Sequence, residues 1–255
     1  SMRRLRFDKK NFLRWVFVLV LFGICFDMYF NFVDWRTADR SSAGIAPVPD
    51  KTAEAVVQVY AARTYNWRGY FAVHSWIAVK PENAEKYTTY QVIGFYLWRG
   101  RSAVDIQEGI PDRRWYGRDP ELLADLRGQA AAEAIPLIDK AARSYPYAHM
   151  YYAYPGPNSN TFISHIIRQV PQLKIALPNI AIGKDYLGHN TFFAESESKT
   201  GWQVSLWGIA GVTVGLVEGL EINLLGLNFG IDFLRPALKL PLIGRLGMAR
   251  VQREG

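Results

Sequence analysis

The sequence predicts an α+β domain carried behind an N-terminal apolar segment, on three observations. Runs rich in β-branched and aromatic residues stand at 53–64, 69–83 and 90–100. A Leu- and Ala-rich stretch at helical spacing follows at 119–144, and beyond Gly201 apolar and polar residues alternate at period two. With 255 residues, 49% of them hydrophobic, the chain has ample material for a core and disorder is excluded as a starting point.

The first element is the apolar run "WVFVLVLFGICF", residues 15–26. A spanning helix wants about 20 mostly apolar residues. Leu13 to Val33 supplies that length if Asp27 and Asn31 lie near the outer interface, with Trp15, Tyr29 and Trp35 as aromatic anchors. Residues 1–35 are therefore expected to form a basic cytoplasmic tail and a single-pass transmembrane anchor, with the rest of the chain on the periplasmic or external side of the inner membrane. A cleaved signal peptide, with the small residues "AGIA" at 43–46, is the alternative. Residues 36–51 read as a polar, Pro-containing linker, and 52–255 as one globular domain with a basic C-terminal tail.

Charge supports this division. The formal charge of +7 is concentrated at the ends: residues 1–14 carry +5, residues 235–255 carry +4, and the stretch between them −2. Basic ends on a near-neutral domain suit anionic lipid headgroups, and they argue against nucleic acid, which needs a basic stripe across a folded face. The single cysteine, Cys25, lies in the apolar run, which excludes an internal disulfide, a Cys-based metal site and a thiol nucleophile in the globular part. No metal site and no cofactor is expected.

In the globular part, 53–64, 69–83 and 90–100 read as three strands covered on both faces. Asp119 is a good N-cap with Pro120 at the first helical position, so a helix is predicted from there, divided at Pro136. Residues 145–154 read as a strand or an extended aromatic segment. The segment 204–217 reads either as buried strands or as a short re-entrant or interfacial piece, and 220–232 as a half-buried strand pair.

Between these halves lies "YPGPNSNTFISHII", residues 154–167. Asn158 is placed as the N-cap of a helix whose apolar stripe is Phe162, Ile163, Ile166 and Ile167. Ser159 then stands at the positive end of that helix, where first-turn amides stabilise negative charge. A serine nucleophile also needs a base. His165, six positions on, faces away. In the strand 71–79, His74 shares a face with Ala72, Trp76 and Ala78, and a helix packed on that face would bring Ser159 to it. Ordinary capping explains Asn158, Ser159 and Thr161 equally well. "LGHNTFF" at 187–193, beside His189, reads as a second cap or a contributing loop. Arg99, Arg113 and Arg114, near Trp98 and Trp115, suggest either an aromatic and cationic groove for a sugar or lipid headgroup, or core and rim. The chain has no Ser in nucleophile-elbow spacing, no phosphate-cradling Gly-rich loop with Lys-Ser or Lys-Thr, and no HExxH.

The strings "HSWIAVKP", "YQVIGFYLW", "YPGPNSNTF" and "LRPALKLP" resemble the bacterial domain-of-unknown-function family 3750 over nearly all the chain beyond the anchor. More distantly the chain is similar to circularly permuted papain-like proteins of the NlpC/P60 superfamily, including lecithin-retinol-acyltransferase-like enzymes. That resemblance implies a permuted papain-like sheet packed with helices. It assigns His74 as base, Gln91 or Tyr90 as the orienting group, and Ser159 in the place of the family's Cys after Asn. Asn158, Asn160, Trp76 and Tyr90 are the candidate ligand-binding residues. The expected function is a membrane-anchored envelope protein binding a cell-wall or lipid ligand, because serine lacks the low-pKa thiolate of the resembling enzymes. The alternative is a serine-dependent amidase, esterase or acyltransferase acting on cell-wall peptide or lipid.

Overall fold

The computed structural model describes residues 9–30 and 32–250, so residues 1–8, Asn31 and residues 251–255 lie outside the described residues. Helix α1 runs Lys9–Phe30, and its described side chains from Lys10 to Phe26 are exposed. Among the described residues no helix is long and apolar enough to cross a membrane. The chain leaves α1 beside Asn66, whose side chain accepts from Val33 N at 2.8 Å and donates to Val33 O at 3.3 Å.

Two antiparallel sheets form the globular part. The first has the order β4-β3-β2-β1-β5, with β1 Val56–Arg63, β2 Val73–Lys80, β3 Thr88–Val92, β4 Val104–Glu108 and β5 Glu121–Arg127. Helices α2 (Gly128–Arg143) and α3 (Ser159–Gln169) cover one face, joining Val59, Val73, Ile77 and Val79 to Ala134, Ile138, Phe162, Ile163, Ile166 and Ile167 in one core. Each fully buried Phe or Ile of the α3 stripe contributes on the order of 2–3 kcal/mol of transfer free energy.

Three expectations are corrected here. The helix predicted from Asp119 begins only at Gly128; residues 121–127 instead pair with β1, Val57 opposite Leu126 and Val59 opposite Ala124, because that edge of the sheet needs a partner more than the leucines need a helix. Pro136 does not divide α2: it is exposed, so the carbonyl it leaves unbonded faces water. The third strand stops at Val92, and residues 94–99 form a 3-10 turn.

The opposite face of this sheet carries Tyr60, Ala62, His74, Trp76 and Ala78 in cross-strand register. No helix covers it. The loop 109–119 and the segment read as a linker lie over it instead. Asp112 anchors that segment, accepting from Ser42 Oγ at 2.8 Å, Ile45 N at 2.6 Å and Ala46 N at 3.0 Å, while Tyr87 Oη donates to Pro47 O at 3.0 Å. What composition reads as a linker is an ordered strap.

The second sheet is a seven-stranded meander: β6 Phe193–Glu195, β7 Gly201–Leu206, β8 Ala210–Gly215, β9 Gly219–Leu224, β10 Leu227–Asp232, β11 Ala237–Leu240 and β12 Gly244–Gly247. The segment 204–217 is thus a β7–β8 hairpin with alternate side chains outside, neither wholly buried nor helical. The inner face is polar. Lys184 Nζ bonds Asp185 at 3.1 Å and Glu221 at 2.7 Å, Lys239 Nζ bonds the other Glu221 oxygen at 2.6 Å, and Asp185 also accepts from Gln203, Asn223 and Asn228. Burial alone would raise the Glu221 pKa, but Lys184 and Lys239 outweigh it and hold it at about 2.

Candidate functional site

The helix start is built as a cap. Asn158 Oδ1 accepts from Asn160 N at 2.9 Å and Thr161 N at 3.2 Å, and Thr161 Oγ1 accepts from Asn158 N, closing a capping box. The Asn158 amide donates to Ala153 O and Ile182 O, which uses both its hydrogens. Asn160 is equally committed: it donates to Val73 O and Ile182 O and accepts from Ser75 Oγ at 2.8 Å. Gly183, at φ +98°, passes so close that a Cβ there would lie 2.3 Å from the Asn158 amide. These bonds lock α3 to β2 and to the 180s loop, and they leave neither asparagine a hydrogen to offer a ligand.

Ser159 and His74 are not brought together. Strand alternation points Val73, Ser75 and Ile77 at α3 and sends His74 and Trp76 to the other face, so the sheet presents Ser75 to the helix start. The helix packs on the more apolar face because its Phe and Ile stripe finds Val73, Ile77 and Val79 there. Tyr90 lies on the α3 side too, its hydroxyl donating to Asp139 at 3.1 Å, far in bonding terms from His74.

His74 and Gln91 are brought together. His74 Nε2 and Gln91 Oε1 are 3.2 Å apart; the same oxygen accepts from Arg113 Nη2 at 2.8 Å, and Gln91 Nε2 donates to Asp105 Oδ2 at 2.8 Å. With Gln91 fixed by Asp105, its oxygen faces His74, so Nε2 carries the imidazole hydrogen. The Trp115 ring stacks on the imidazole at 3.7 Å between centroids, 11° from parallel, and Trp76 lies beyond, its Nε1 donating to Pro111 O at 2.7 Å. Burial lowers the His74 pKa to about 3, helped by the Arg113 charge and opposed by the bond to Gln91. A neutral imidazole of that low basicity is a poor general base near neutral pH.

Over this relay opens a cavity of about 460 Å³. Arg40, Arg113 and Arg114 line it with Trp35, Tyr65, Phe95, Tyr96, Trp115 and Tyr116, while Gln91 and Gln107 form its floor; among the described residues no carboxylate joins the lining, though Arg114 is paired from outside it with Asp119 at 2.8 Å and Asp39 at 3.6 Å. Arg40 stacks over Tyr116 at 4.5 Å and Arg113 over Trp115 at 5.3 Å, which holds the guanidinium planes against aromatic walls. Of the arginines expected here, Arg113 and Arg114 line the cavity and Arg99 does not. Arg40 and Tyr65 line this site, Asp105 holds its floor through Gln91 and Gln107, and all three escaped sequence reading. The alternation of "VDIQE" puts Asp105 and Gln107 on one strand face, which is the signal that was there to find.

A family model described as protein of unknown function (DUF3750) matches residues 54–186, just over half the chain. The chain belongs to the DUF3750 family. The DUF3750 match takes in the first sheet, both its helices, the His74–Gln91–Arg113 relay and the start of the buried network at Lys184. No curated protein and no solved structure matches the chain.

Proposed function

We propose that this DUF3750 chain is a membrane-anchored envelope protein that binds an anionic ligand in the pocket above Gln91 and Arg113, and that it does not use Ser159 for chemistry. The observation that carries the reading is the lining: six aromatic rings around one cavity with Arg40 and Arg113, neither of them ion-paired among the described residues, and Arg114 beside them held by Asp119 and Asp39. Such a site favours a phosphate or carboxylate joined to a ring or sugar, as found in lipid headgroups and cell-wall saccharides. Its position supports the membrane half of the reading. Trp35 and Arg40, part of the wall, follow directly on the apolar helix α1.

The permuted papain-like relationship belongs to the same proposal. It is supported by a helix that starts at Asn158-Ser159 and packs on an antiparallel sheet carrying His74 beside Gln91. In this chain the arrangement is a binding scaffold, since His74 serves the far side of the sheet. We place the globular part outside the cytoplasmic membrane, which protease protection in inverted vesicles tests directly.

The ligand test uses the full chain in detergent. Glycerol 1-phosphate, a headgroup mimic, and muramic acid, a carboxylated cell-wall sugar, are titrated while tryptophan fluorescence reports on Trp115. One of them produces a saturable change, weakened at least tenfold by Arg113→Ala and unaltered by Ser159→Ala. Covalent labelling of Ser159 by a fluorophosphonate, abolished in Ser159→Ala, would overturn the reading in favour of a serine hydrolase.

A further inference from the structure

The second sheet is inside out. In register across it, Trp202, Val214, Leu220, Ile231, Leu238 and Leu246 form one outward row, and Phe193, Val204, Val212, Ile222 and Phe229 another. Most of these side chains are exposed, Trp202 at 57% and Val214 at 55%. The charged residues of β7–β12, Glu221, Asp232, Lys239 and Arg245, stand at the alternate positions and point inward to ion pairs. The outward apolar area is on the order of 1,000 Å², above the few hundred Å² usual for the largest patch on a soluble monomer. Polar inside and apolar outside is the alternation of a surface whose solvent is hydrocarbon.

The hairpin tips repeat the message. In a meander the β7–β8, β9–β10 and β11–β12 turns lie at one end of the sheet, and each carries a non-glycine residue at positive φ: Trp207 (52°), Leu225 (54°) and Leu242 (66°). Such positions favour Gly, Asn or Asp, so a large apolar residue there is strained, and all three are exposed, Leu225 at 73%. That end of the sheet is also tied to the exit of α1. Arg63 donates to Gly69 O and Tyr70 O in the turn that holds Val33 through Asn66, and it donates to Ile243 O beside Leu242 at 2.9 Å.

We infer that the outer face of the second sheet, led by the Trp207, Leu225 and Leu242 tips, docks into the surface of a lipid bilayer. Two elements that expose apolar residues, α1 and the sheet, are held at one place on the molecule, so a bilayer that receives one meets the other. The inference shares the membrane with the proposed function but does not need the pocket, and it is tested separately from the anchor.

Full-length chain with Cys25→Ser, carrying one fluorophore-labelled cysteine at Val204, Leu225 or Glu133, is reconstituted into vesicles of phosphatidylcholine with one third phosphatidylglycerol. Doxyl lipids quench the Val204 and Leu225 probes and leave the exposed α2 position Glu133 to aqueous iodide. Ile222→Asp, in the same outward row as Val204, reduces the lipid quenching at Val204 severalfold while carbonate extraction still leaves the chain in the membrane. Iodide reaching Val204 and Leu225 in a carbonate-resistant chain would overturn the docking and spare the anchor. Shielding from both quenchers, with Val204 probes of two copies cross-linking, would overturn it in favour of self-association.

Discussion

The buried imidazole of His74 makes the first sheet sensitive to mild acid. Its folded pKa is about 3 because the ring is sealed under Trp115 and faces the Arg113 charge, against about 6.5 in the unfolded chain. Between those values the unfolded chain binds the extra proton, so stability falls as pH drops through 6.5 and the loss levels off below about 3. At pH 5 the unfolded histidine is almost fully protonated and the folded one almost neutral. The difference corresponds to about 2 kcal/mol relative to pH 7.5, and it is insensitive to a unit's change in the folded value. Urea unfolding of the full chain in detergent, at pH 7.5 and pH 5, measures it against His74→Phe, which keeps a ring under Trp115 and removes the titration. Carboxylates and the other histidines contribute alike to both proteins. The account predicts that wild type loses about 2 kcal/mol more than the variant over this interval. Equal losses, or an imidazole proton resonance titrating near 6.5, would refute the burial argument.

Asn158→Ala removes two helix-cap bonds and strands Ala153 O, while Ile182 O keeps its bond from Asn160, so it should cost about 2–3 kcal/mol in urea unfolding, whereas Ser159→Ala should cost less than about 1. Lys184→Met leaves Asp185 and half of Glu221 without their cation inside the protein and should destabilise by about 3–5 kcal/mol, read by thermal unfolding. Gln91→Leu breaks the link from Asp105 to Arg113 and His74; ligand affinity should fall, read by the fluorescence titration, with His74→Phe falling less.

Much of the local structure was legible. β1, the α3 cap and its apolar stripe follow from residue pattern, because each depends on neighbours in sequence. β5 was not: its leucines carry a helical spacing, and only the unpaired edge of β1 turns them into a strand. The site was half legible for the same reason. Strand alternation put His74 and Trp76 on one face, but which face takes α3 is decided by comparing the apolar content of both, and Ser75 rather than His74 meets Asn160. The arginine and aromatic groove was readable as composition around Trp115; that Arg40 and Trp35 close it from the strap depends on Asp112 gripping residues 42–46. The inverted second sheet was written in its period-two alternation, but alternation says nothing about which side faces the protein.

The central claim is that the working site is the arginine-lined pocket and not the serine at the helix start. Native mass spectrometry of detergent-purified full-length wild type, Arg113→Ala and Ser159→Ala tests it most directly. The account predicts a co-purifying anionic molecule on wild type and Ser159→Ala that is lost from Arg113→Ala. Loss from Ser159→Ala with retention on Arg113→Ala would contradict it.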